Sequence, residues 1–510
     1  MSFFNSNANA QRKAGIVLGY ANIIVKNLVN LAYTPMLLSF VGQGDYGVFE
    51  MSNSFVYSLT LLNFGFSGAY VRFYMQRAEK GDDAAVRRLN GAYLLLYFAI
   101  SVLVLLLGLV FASNAEFVFS GGLTASEIEL AGKLMVVMSV NLAVTMFSNV
   151  FNGYITACER FSFQQSRQML TTLASPFLSL LLLWIGFGVI GVAFAQLAIN
   201  ALLLFLNIAY STHTLGMRFA LREREKGLFK ALAVFSGWLF LNQICDLVNH
   251  NVPNVILGAL SSSATVAVFA IALKIKNVFI SISGIIANVY VPLVNRIVAK
   301  SNDNAELTRI MTKVGRYQMM LQCWVLGGFV VLGQWFVNTW AGLEYAPAYL
   351  IVIIMIFPNL VPFCQNVGIE IQKAKNMHQA RSIVYVLCAC INVALTLLLA
   401  KRLGYWAPVV GYDLQVITGP CIFMNWYYQK WVGLDMLYYW KRVLPVFLWA
   451  CVPTAACLAG TVLVPVSNLL FFLAWGIVYS ALFAALAWRF LLNADEKAKV
   501  RGKLARRKAS

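Results

Sequence analysis

Polar side chains recur at four-residue intervals inside an apolar stretch near the start of the sequence. The stretch carries Asn22, Lys26, Asn30 and Thr34. Residues four apart share one face of a helix. A lysine in the middle of a membrane costs about 2.5–3.5 kcal/mol, so such residues face a bundle interior or a wet cavity. We therefore predict that Lys26, with Asn22 and Asn30, lines a water-filled path and contacts the substrate.

Two later apolar stretches carry similar polar stripes. Their members are spaced by three or four residues: Asn242, Asp246, His250 and Asn254 in one, and Lys274, Asn277, Ser281, Gly284 and Asn288 in the other. Charged side chains inside a membrane mark the pathways of substrates or ions. We therefore expect six more residues to line the same cavity: Glu50, Arg72, Asp246, His250, Lys274 and Lys276.

The charged residues also have a purely structural interpretation. Lys26 could form an ion pair with Asp246 or Glu50 instead of contacting a substrate. Asp246 and Glu50 could each bind a proton or Na⁺, or could only balance the charge of a lysine. The sequence leaves these alternatives open.

Three further charged residues have an interpretation that involves no substrate. Lys276 faces away from the stripe of Lys274, and it could extend its ammonium group towards the membrane surface. Arg72 stands where a basic residue is expected from topology alone, at the cytoplasmic end of a helix. Asp413, in a later apolar stretch, is ambiguous.

The composition indicates a protein whose solvent is partly lipid. Of the 510 residues, 60% are hydrophobic and 12% are charged, and the mean hydropathy is +0.73. A soluble domain has about 25% charged residues. About 20 apolar residues cross the hydrocarbon layer. The sequence predicts fourteen such spans, near residues 14–40, 46–74, 91–112, 131–155, 168–187, 189–210, 229–254, 264–292, 317–338, 347–370, 382–400, 405–429, 443–464 and 467–490.

The basic residues predict how these spans are oriented. The chain has 39 Lys and Arg residues against 20 Asp and Glu residues, a net charge of +19. With a cytoplasmic N-terminus, the outer loops hold only Lys133, Lys401 and Arg402, which fits the rule that basic residues stay inside. An even number of spans then places both termini in the cytoplasm. The positive charge sets topology and meets anionic lipid, so nucleic acid is not expected as a partner.

Metal binding and catalysis have no signature in the sequence. The nine cysteines show no C-x-x-C spacing and no Cys/His cluster, so we expect buried thiols. We expect no cofactor other than a coupling proton or Na⁺. The outer loops are short and carry no Asp-x-Asp at a helix end, which makes a membrane glycosyltransferase or polymerase a remote alternative. The chain is therefore not expected to be an enzyme.

Weak internal matches predict two halves of six helices each. The segment "GYITACERFSFQ" (153–164) aligns with "GIEIQKAKNMHQ" (368–379), and "DYGVFEM" (45–51) aligns with "TVAVFAI" (265–271). Both matches have nearly the same offset, and paired halves are a transporter architecture. The predicted class is therefore an all-α integral membrane protein. Its predicted parts are a lobe at 1–227, a lobe at 228–430, two added spans within 431–492 and a basic cytoplasmic tail at 493–510.

The start of the sequence resembles a known family. A basic N-terminus precedes "VKNLVNLAYTP" (25–35), the short loop "GQGDYGVF" (42–49) and a second helix that ends near Arg72. This order resembles the bacterial polysaccharide (Wzx-type) flippases of the multidrug/oligosaccharidyl-lipid/polysaccharide exporter superfamily. The span count and the repeat extend the resemblance over the full length. It implies two lobes around a central cavity lined by helices one, two, seven and eight.

The resemblance also implies a function. Such a flippase moves an undecaprenyl-pyrophosphate-linked oligosaccharide from the inner to the outer leaflet of the bacterial plasma (inner) membrane by alternating access. The product would be O-antigen, capsule or exopolysaccharide. The implied partners are membrane lipids and the lipid-linked sugar, with a polysaccharide polymerase and glycosyltransferases beside them. A multidrug exporter and a lipid II flippase of the same superfamily stay open as alternatives.

Overall fold

The protein is all-helical wherever its structure is described. The computed structural model describes residues 2–221, 240, 243–244, 247–377, 379–492 and 496–498. No strand occurs among these residues, so the predicted all-α class is confirmed. The predicted lobe boundary at 227 and most of the predicted tail at 493–510 lie outside the described residues. The chain divides into two compact units.

Unit one comprises Met1–Ala270 and Thr396–Ala407. Its helices are α1 (Ser2–Val41), α2 (Gln43–Tyr57), α3 (Phe66–Ala78), α4 (Asp83–Ser113), α5 (Ala115–Phe119), α6 (Ala125–Ala157), α7 (Phe161–Ile185), α8 (Gly188–Ala209), α9 (Val252–Leu260) and the first residues of α10 (Ser263–Lys300). Helix α6 packs against α2, α3, α4 and α8, while α7 packs against α1 and α8. Helix α6 therefore forms the centre of the unit.

Small residues and hydrogen bonds hold unit one together. A Cβ atom on Gly108 of α4 would overlap the side chain of Ser139 on α6, so the two helices approach at a distance that only glycine permits. The hydroxyl group of the buried Tyr97 donates a hydrogen bond of 2.6 Å to Oδ1 of Asn63. In lipid, helices associate through close packing and hydrogen bonds rather than through the hydrophobic effect. Both kinds of contact are present here.

Identifiable residues set the ends of the helices around α6 and α7. Helix α6 begins with a capping box, in which Thr124 and Glu127 each accept a hydrogen bond from the other's backbone N–H group. Helix α7 ends before Gly186, which has φ 100°, and the next turn uses Gly188 with φ 57°. These left-handed values suit glycine. The division of the fifth and sixth predicted spans at "GFG" (186–188) is therefore confirmed.

The second predicted span, 46–74, is broken rather than continuous. Helix α2 passes into a 3₁₀-helix at Ser58–Asn63, and α3 begins at Phe66. Between them Phe64 has φ 45° and Gly65 has φ 72°. A left-handed backbone cannot continue an α-helix, so the chain changes direction here. The prediction missed this break because hydropathy does not record backbone dihedral angles.

Unit two comprises Ile271–Leu395 and Pro408–Ser510. It contains the remainder of α10, then α11 (Asn304–Trp340), α12 (Ala348–Cys364), α13 (Asn366–Ala374), α14 (Gln379–Leu403) as far as Leu395, α15 (Trp406–Val416) from Pro408, α16 (Met424–Tyr427), α17 (Met436–Leu463) and α18 (Leu469–Leu486). Helix α11 packs against α12, α17 and α18. A Cβ atom on Gly315 of α11 would lie 2.5 Å from the hydroxyl oxygen of Tyr439, so glycine admits that tyrosine to the core.

Eleven helices among the described residues are long and apolar enough to cross a membrane. The three other predicted spans each differ from a plain helix. The span at 46–74 is broken, and most of 229–254 lies outside the described residues. The span at 405–429 is interrupted by a π-helical segment at Ile417–Phe423, and another follows at Tyr428–Val432. The total of fourteen spans therefore stays a prediction.

The two copies of the repeated motif have similar surroundings. A Cβ atom on Gly153 would lie 3.1 Å from the ring of Tyr70, and one on Gly368 would lie 2.8 Å from the ring of Tyr428. Each glycine therefore lets a tyrosine ring lie against its helix. The basic residue seven positions later lies at a helix boundary in both copies, as Arg160 before α7 and Lys375 after α13. Burial lowers the pKa of Lys375.

Candidate functional site

Among the described side chains of α1, the predicted polar face is buried at Asn22, exposed over the next positions and buried again further along. Lys26 and Asn30 are exposed. Thr34 and Leu37 continue the same face, at 100° per residue, and each is only 3% exposed. The polar face of α1 is therefore exposed at Lys26 and Asn30, between buried positions on either side.

The opposite side of α1 has the character of a lipid-facing surface. Leu28 is 61% exposed and Leu31 is 46% exposed, so this side carries exposed apolar side chains where it is described. The side of Lys26 differs, because its exposed residues include a lysine and an asparagine. Charged and polar side chains at membrane depth face a bundle interior or water rather than lipid.

Lys26 makes no hydrogen bond or ion pair with the described residues. The alternative pairing with Glu50 is therefore not formed in this structure, and the alternative partner Asp246 lies outside the described residues. Asn22 is placed differently from Lys26. It is buried, and its amide nitrogen donates hydrogen bonds of 2.8 Å and 2.9 Å to the backbone and side-chain oxygens of Gln165. Asn22 therefore ties α1 to α7 and does not lie on the exposed surface.

The polar stripe of α10 changes from buried to exposed along the helix. The first residues of the helix are buried, with Val266 and Ile271 at 0% exposure. Lys274 is half-buried, and Asn277 and Ser281 are exposed. The rest of the predicted stripe, at 284 and 288, lies outside the described side chains. Helix α10 is therefore closed near its start and carries an exposed polar surface further along.

Lys276 is not on an exposed surface and does not extend towards the membrane surface. Its side chain is 1% exposed, and Nζ lies 4.1 Å from the centre of the Tyr412 ring. A desolvated cation–π contact contributes about 2 kcal/mol or more, which is similar in size to the insertion cost of a lysine. Lys276 therefore lies inside unit two beside Tyr412, and its predicted role in a substrate cavity stays a prediction.

The remaining predicted site residues are spread over several elements of unit one. Glu50 is half-buried on α2, and Arg72 is exposed on α3 beyond the break. His250 is half-buried in the helical turn that precedes α9. Asp246 lies outside the described residues.

A set of close contacts within unit one joins the start of α2 to α9 and to the start of α10. A Cβ atom on Gly47 would overlap the carbonyl oxygen of Ser263 and lie 2.6 Å from its carbonyl carbon. The hydroxyl group of Ser263 donates a hydrogen bond to Glu127 at the start of α6. Asn254 donates a buried bond of 2.9 Å to the hydroxyl oxygen of Ser54. We call these five residues the latch.

The latch explains a motif that the sequence contains. In "GQGDYGVF" (42–49), the last glycine is Gly47, and only a residue without a side chain allows α2 to touch the backbone at Ser263. The same loop carries Asp45, just before the predicted second span. Burial, with the nearby carboxylate of Glu127, raises the pKa of Asp45. Sequence reasoning recognised the motif but could not identify what Gly47 contacts.

A second cluster missed by sequence reasoning ties together three helices of unit one. The guanidinium group of Arg167 on α7 donates to the side-chain oxygen of Asn207 on α8 and, over 2.8 Å, to that of Asn152 on α6. Asn207 also donates a bond of 2.8 Å to Ser148 on α6. No carboxylate pairs with Arg167 in the described part of the chain. The cluster is therefore a clamp made of one cation and neutral amides.

The chain is similar to proteins of known family and fold. The profile of the family described as polysaccharide biosynthesis protein matches residues 37–350. The uncharacterized membrane protein EpsK of Bacillus subtilis (strain 168) is 22% identical over 479 residues, which cover 91% of this chain and 92% of EpsK. The lipid II flippase MurJ in an inward closed conformation has a TM-score of 0.72 at 13% identity, covering 94% of this chain and 100% of MurJ. An inward-facing multidrug resistance MATE family transporter of the MOP superfamily has a TM-score of 0.64 at 16% identity, covering 87% of this chain and 98% of the transporter.

Proposed function

Because the chain belongs to the polysaccharide biosynthesis protein family, we propose that it is a flippase for a lipid-linked oligosaccharide. Its substrate would be an undecaprenyl-pyrophosphate-linked repeat unit, moved from the cytoplasmic to the outer leaflet of the bacterial plasma membrane. The repeat unit would then enter O-antigen, capsule or exopolysaccharide. The fold shared with MurJ and the MATE transporter supports transport as the activity.

The observation that carries the proposal is the exposure of Lys26 and Asn30 on the polar face of α1. Lys26 offers a positive charge with no partner among the described residues, and Asn30 offers an amide one turn away. A pyrophosphate carries negative charge, and a cation about 4 Å away attracts a unit charge by about 4 kcal/mol where the effective dielectric constant is about 20. The amide suits the hydroxyl groups of a sugar.

The latch supports alternating access as the mechanism. In this structure the latch contacts are made, while Lys26 and Asn30 on the polar face of α1 are exposed. A transporter that alternates must close one end while the other is open. The proposed cycle therefore breaks the latch to release the sugar on the outer side and re-forms it afterwards.

Orientation, partners and coupling are parts of the same proposal. Both termini would lie in the cytoplasm, and membrane lipids would surround the spans. Glycosyltransferases would supply the lipid-linked sugar, and a polymerase would consume it. The movement would be coupled to protons or Na⁺, with no other cofactor.

The test is genetic and uses surface polymer as its readout. The gene is deleted in its host, and surface polysaccharide is measured together with the lipid-linked repeat unit on each leaflet. The deletion is complemented with wild type, with Lys26→Ala and with Lys274→Ala. The matched control is Lys133→Ala, which removes an exposed lysine that pairs only with Glu129 among the described residues. Membrane levels of each variant are compared by immunoblot.

We expect the deletion to lose polymer and to trap the lipid-linked sugar on the inner leaflet. Lys26→Ala should reach normal membrane levels and restore less than a tenth of the polymer, while Lys133→Ala restores all of it. Normal polymer in the deletion strain would overturn the proposal. If that strain also became sensitive to cationic drugs, the protein would be a multidrug exporter. Loss of cell-wall precursor transport instead would make it a lipid II flippase.

A further inference from the structure

Two oppositely charged side chains inside unit two each have an unsatisfied buried atom. Nζ of Lys276 on α10 and Oδ1 of Asp413 on α15 are both buried, and neither has a hydrogen-bond partner. Lys276 is 1% exposed, and Asp413 is half-buried. Buried polar atoms in native proteins are normally hydrogen-bonded. An unsatisfied donor and an unsatisfied acceptor in one cluster therefore indicate a bond that is made only in part of the working cycle.

The neighbouring side chains cannot satisfy either atom. Nζ of Lys276 lies above the ring of Tyr412, which offers no lone pair to an ammonium group along that direction. The hydroxyl group of Tyr412 donates 3.3 Å to Oδ1 of Asn359. The amide nitrogen of Asn359 donates 2.6 Å to the carbonyl oxygen of Met355 on its own helix. These polar groups therefore already have hydrogen-bond partners.

Few titratable groups surround the two side chains. Among the described residues, Asp413 is the charged group that acts on Lys276, and Lys276 is the one that acts on Asp413. Tyr412 is the other titratable neighbour. Helix α12 contributes the neutral Asn359, and α14 contributes the neutral Asn392, which donates 2.9 Å to Gln415 one turn from the cluster. The net charge of the site is therefore set by Lys276 and Asp413 together.

The position of the pair argues against two simpler roles. Lys276 is too deeply buried to contact a substrate in this structure. A permanent structural ion pair would be closed by direct hydrogen bonds, since an unpaired charge in a dry interior is costly, but Lys276 and Asp413 make no such bond. The α15 helix also passes directly into the π-helical segment Ile417–Phe423, and such segments are frequent at functional sites.

We propose that Lys276 and Asp413 form a proton-binding site that gains and loses one proton in each transport cycle. With Asp413 ionised and Lys276 protonated, the net charge of the pair is zero. When the exposed part of the Asp413 carboxylate meets a hydronium ion, one O–H bond of that ion breaks, the O–H bond of the carboxyl group forms, a water molecule is released and the pair carries +1. A dry site disfavours the extra charge, so the proton favours a hydrated conformation of unit two. The role in transport rests on the proposed function, whereas proton binding does not.

The test measures the carboxyl group itself and needs no substrate. The purified full-length chain is placed in lipid bilayers, and the infrared absorption of protonated carboxyl groups is recorded from about pH 5 to about pH 9. Wild type is compared with Asp413→Asn and with Lys276→Gln. Asp303→Asn is the matched control, because Asp303 only caps the start of α11 outside the predicted spans. Size-exclusion profiles and helical circular dichroism establish that each variant is folded.

We expect a carboxyl absorption that titrates within this range, that is missing in Asp413→Asn and that is unchanged in Asp303→Asn. In Lys276→Gln it should persist to higher pH, because the nearby positive charge no longer favours the carboxylate. An Asp413→Asn spectrum that matches wild type at every pH would overturn the proposal. A signal that shifts with NaCl at constant pH would also overturn it, in favour of a metal-cation site.

The outcome is separable from that of the flippase proposal. If the carboxyl absorption titrates as expected but deletion of the gene leaves surface polymer intact, the proton site stands and the proposed function fails. If polymer is lost on deletion but Asp413→Asn restores it fully, the proposed function stands and the site is not coupled to transport.

Discussion

At the scale of single residues, Arg167 holds three helices of unit one through amide partners alone. Its two bonds to Asn152 and Asn207 use a planar fork of donors that lysine lacks. We predict that Arg167→Lys lowers the free energy of unfolding by about 1.5–3 kcal/mol, the range for hydrogen bonds to a charged group. Thermal unfolding in detergent measures the change. Arg87→Lys, at an exposed position, should leave the unfolding temperature within error. Equal unfolding temperatures for Arg167→Lys and wild type would contradict the clamp.

The candidate site could be predicted from the sequence only as far as helical periodicity reaches. Four-residue spacing correctly grouped Lys26 and Asn30 on one exposed surface of α1. The same spacing could not show that Asn22 is buried, because its burial depends on contact with Gln165 of another helix. The surroundings of Lys276 could not be predicted for a similar reason, since they depend on Tyr412, far along the chain. The partner of a side chain is a tertiary property that spacing does not contain.

At the scale of elements, Gly47 sets the distance between α2 and the start of α10. A Cβ atom at this position would overlap the backbone of Ser263, which belongs to a helix and cannot rotate away. We predict that Gly47→Ala lowers the free energy of unfolding by about 1–3 kcal/mol, as overpacking does. Thermal unfolding of the purified chain checks this prediction.

A matched control for Gly47→Ala lies three residues earlier in the same loop. A Cβ atom on Gly44 would lie 3.7 Å from the carboxylate of Glu127 and 3.8 Å from Oγ of Ser263, which are ordinary contacts. Gly44→Ala should therefore change stability by less than about 0.5 kcal/mol, like a surface substitution. Similar unfolding temperatures for the two alanine variants would show that the latch is not closely packed in solution.

At the scale of the whole molecule, the basic residues predict the orientation of the chain in the membrane. We expect a reporter enzyme that is active only outside the cytoplasm to work when fused after residue 121, in the turn before α6. The same reporter should be inactive when fused after residue 302, where a positive-φ asparagine ends α10. Reporter activity normalised to fusion-protein level is the measurement. The opposite pattern would reverse the orientation, because loop charge is the basis of the prediction.

The family and the all-α fold predicted from the sequence are both confirmed. Hydropathy located most spans, because about 20 apolar residues are needed wherever a helix crosses lipid. Hydropathy did not predict the helix break at Phe64 and Gly65, because the left-handed backbone there causes it. The two halves at 1–227 and 228–430 stay a prediction, although the matching glycines Gly153 and Gly368 each lie against a tyrosine ring.

The exposure of Asn30 on α1 has an electrical consequence for the proposed function. If water reaches Asn30 from one side, the insulating part of this path extends only from there to Val41, about 17 Å at 1.5 Å per residue. The hydrocarbon layer is about 30 Å thick. The membrane voltage then drops mainly across the shorter layer, where the field is nearly doubled. A negative headgroup that moves outward past the latch would gain most of the roughly 2.3 kcal/mol per charge per 100 mV within that layer. The membrane voltage would therefore act on the substrate mainly near the latch.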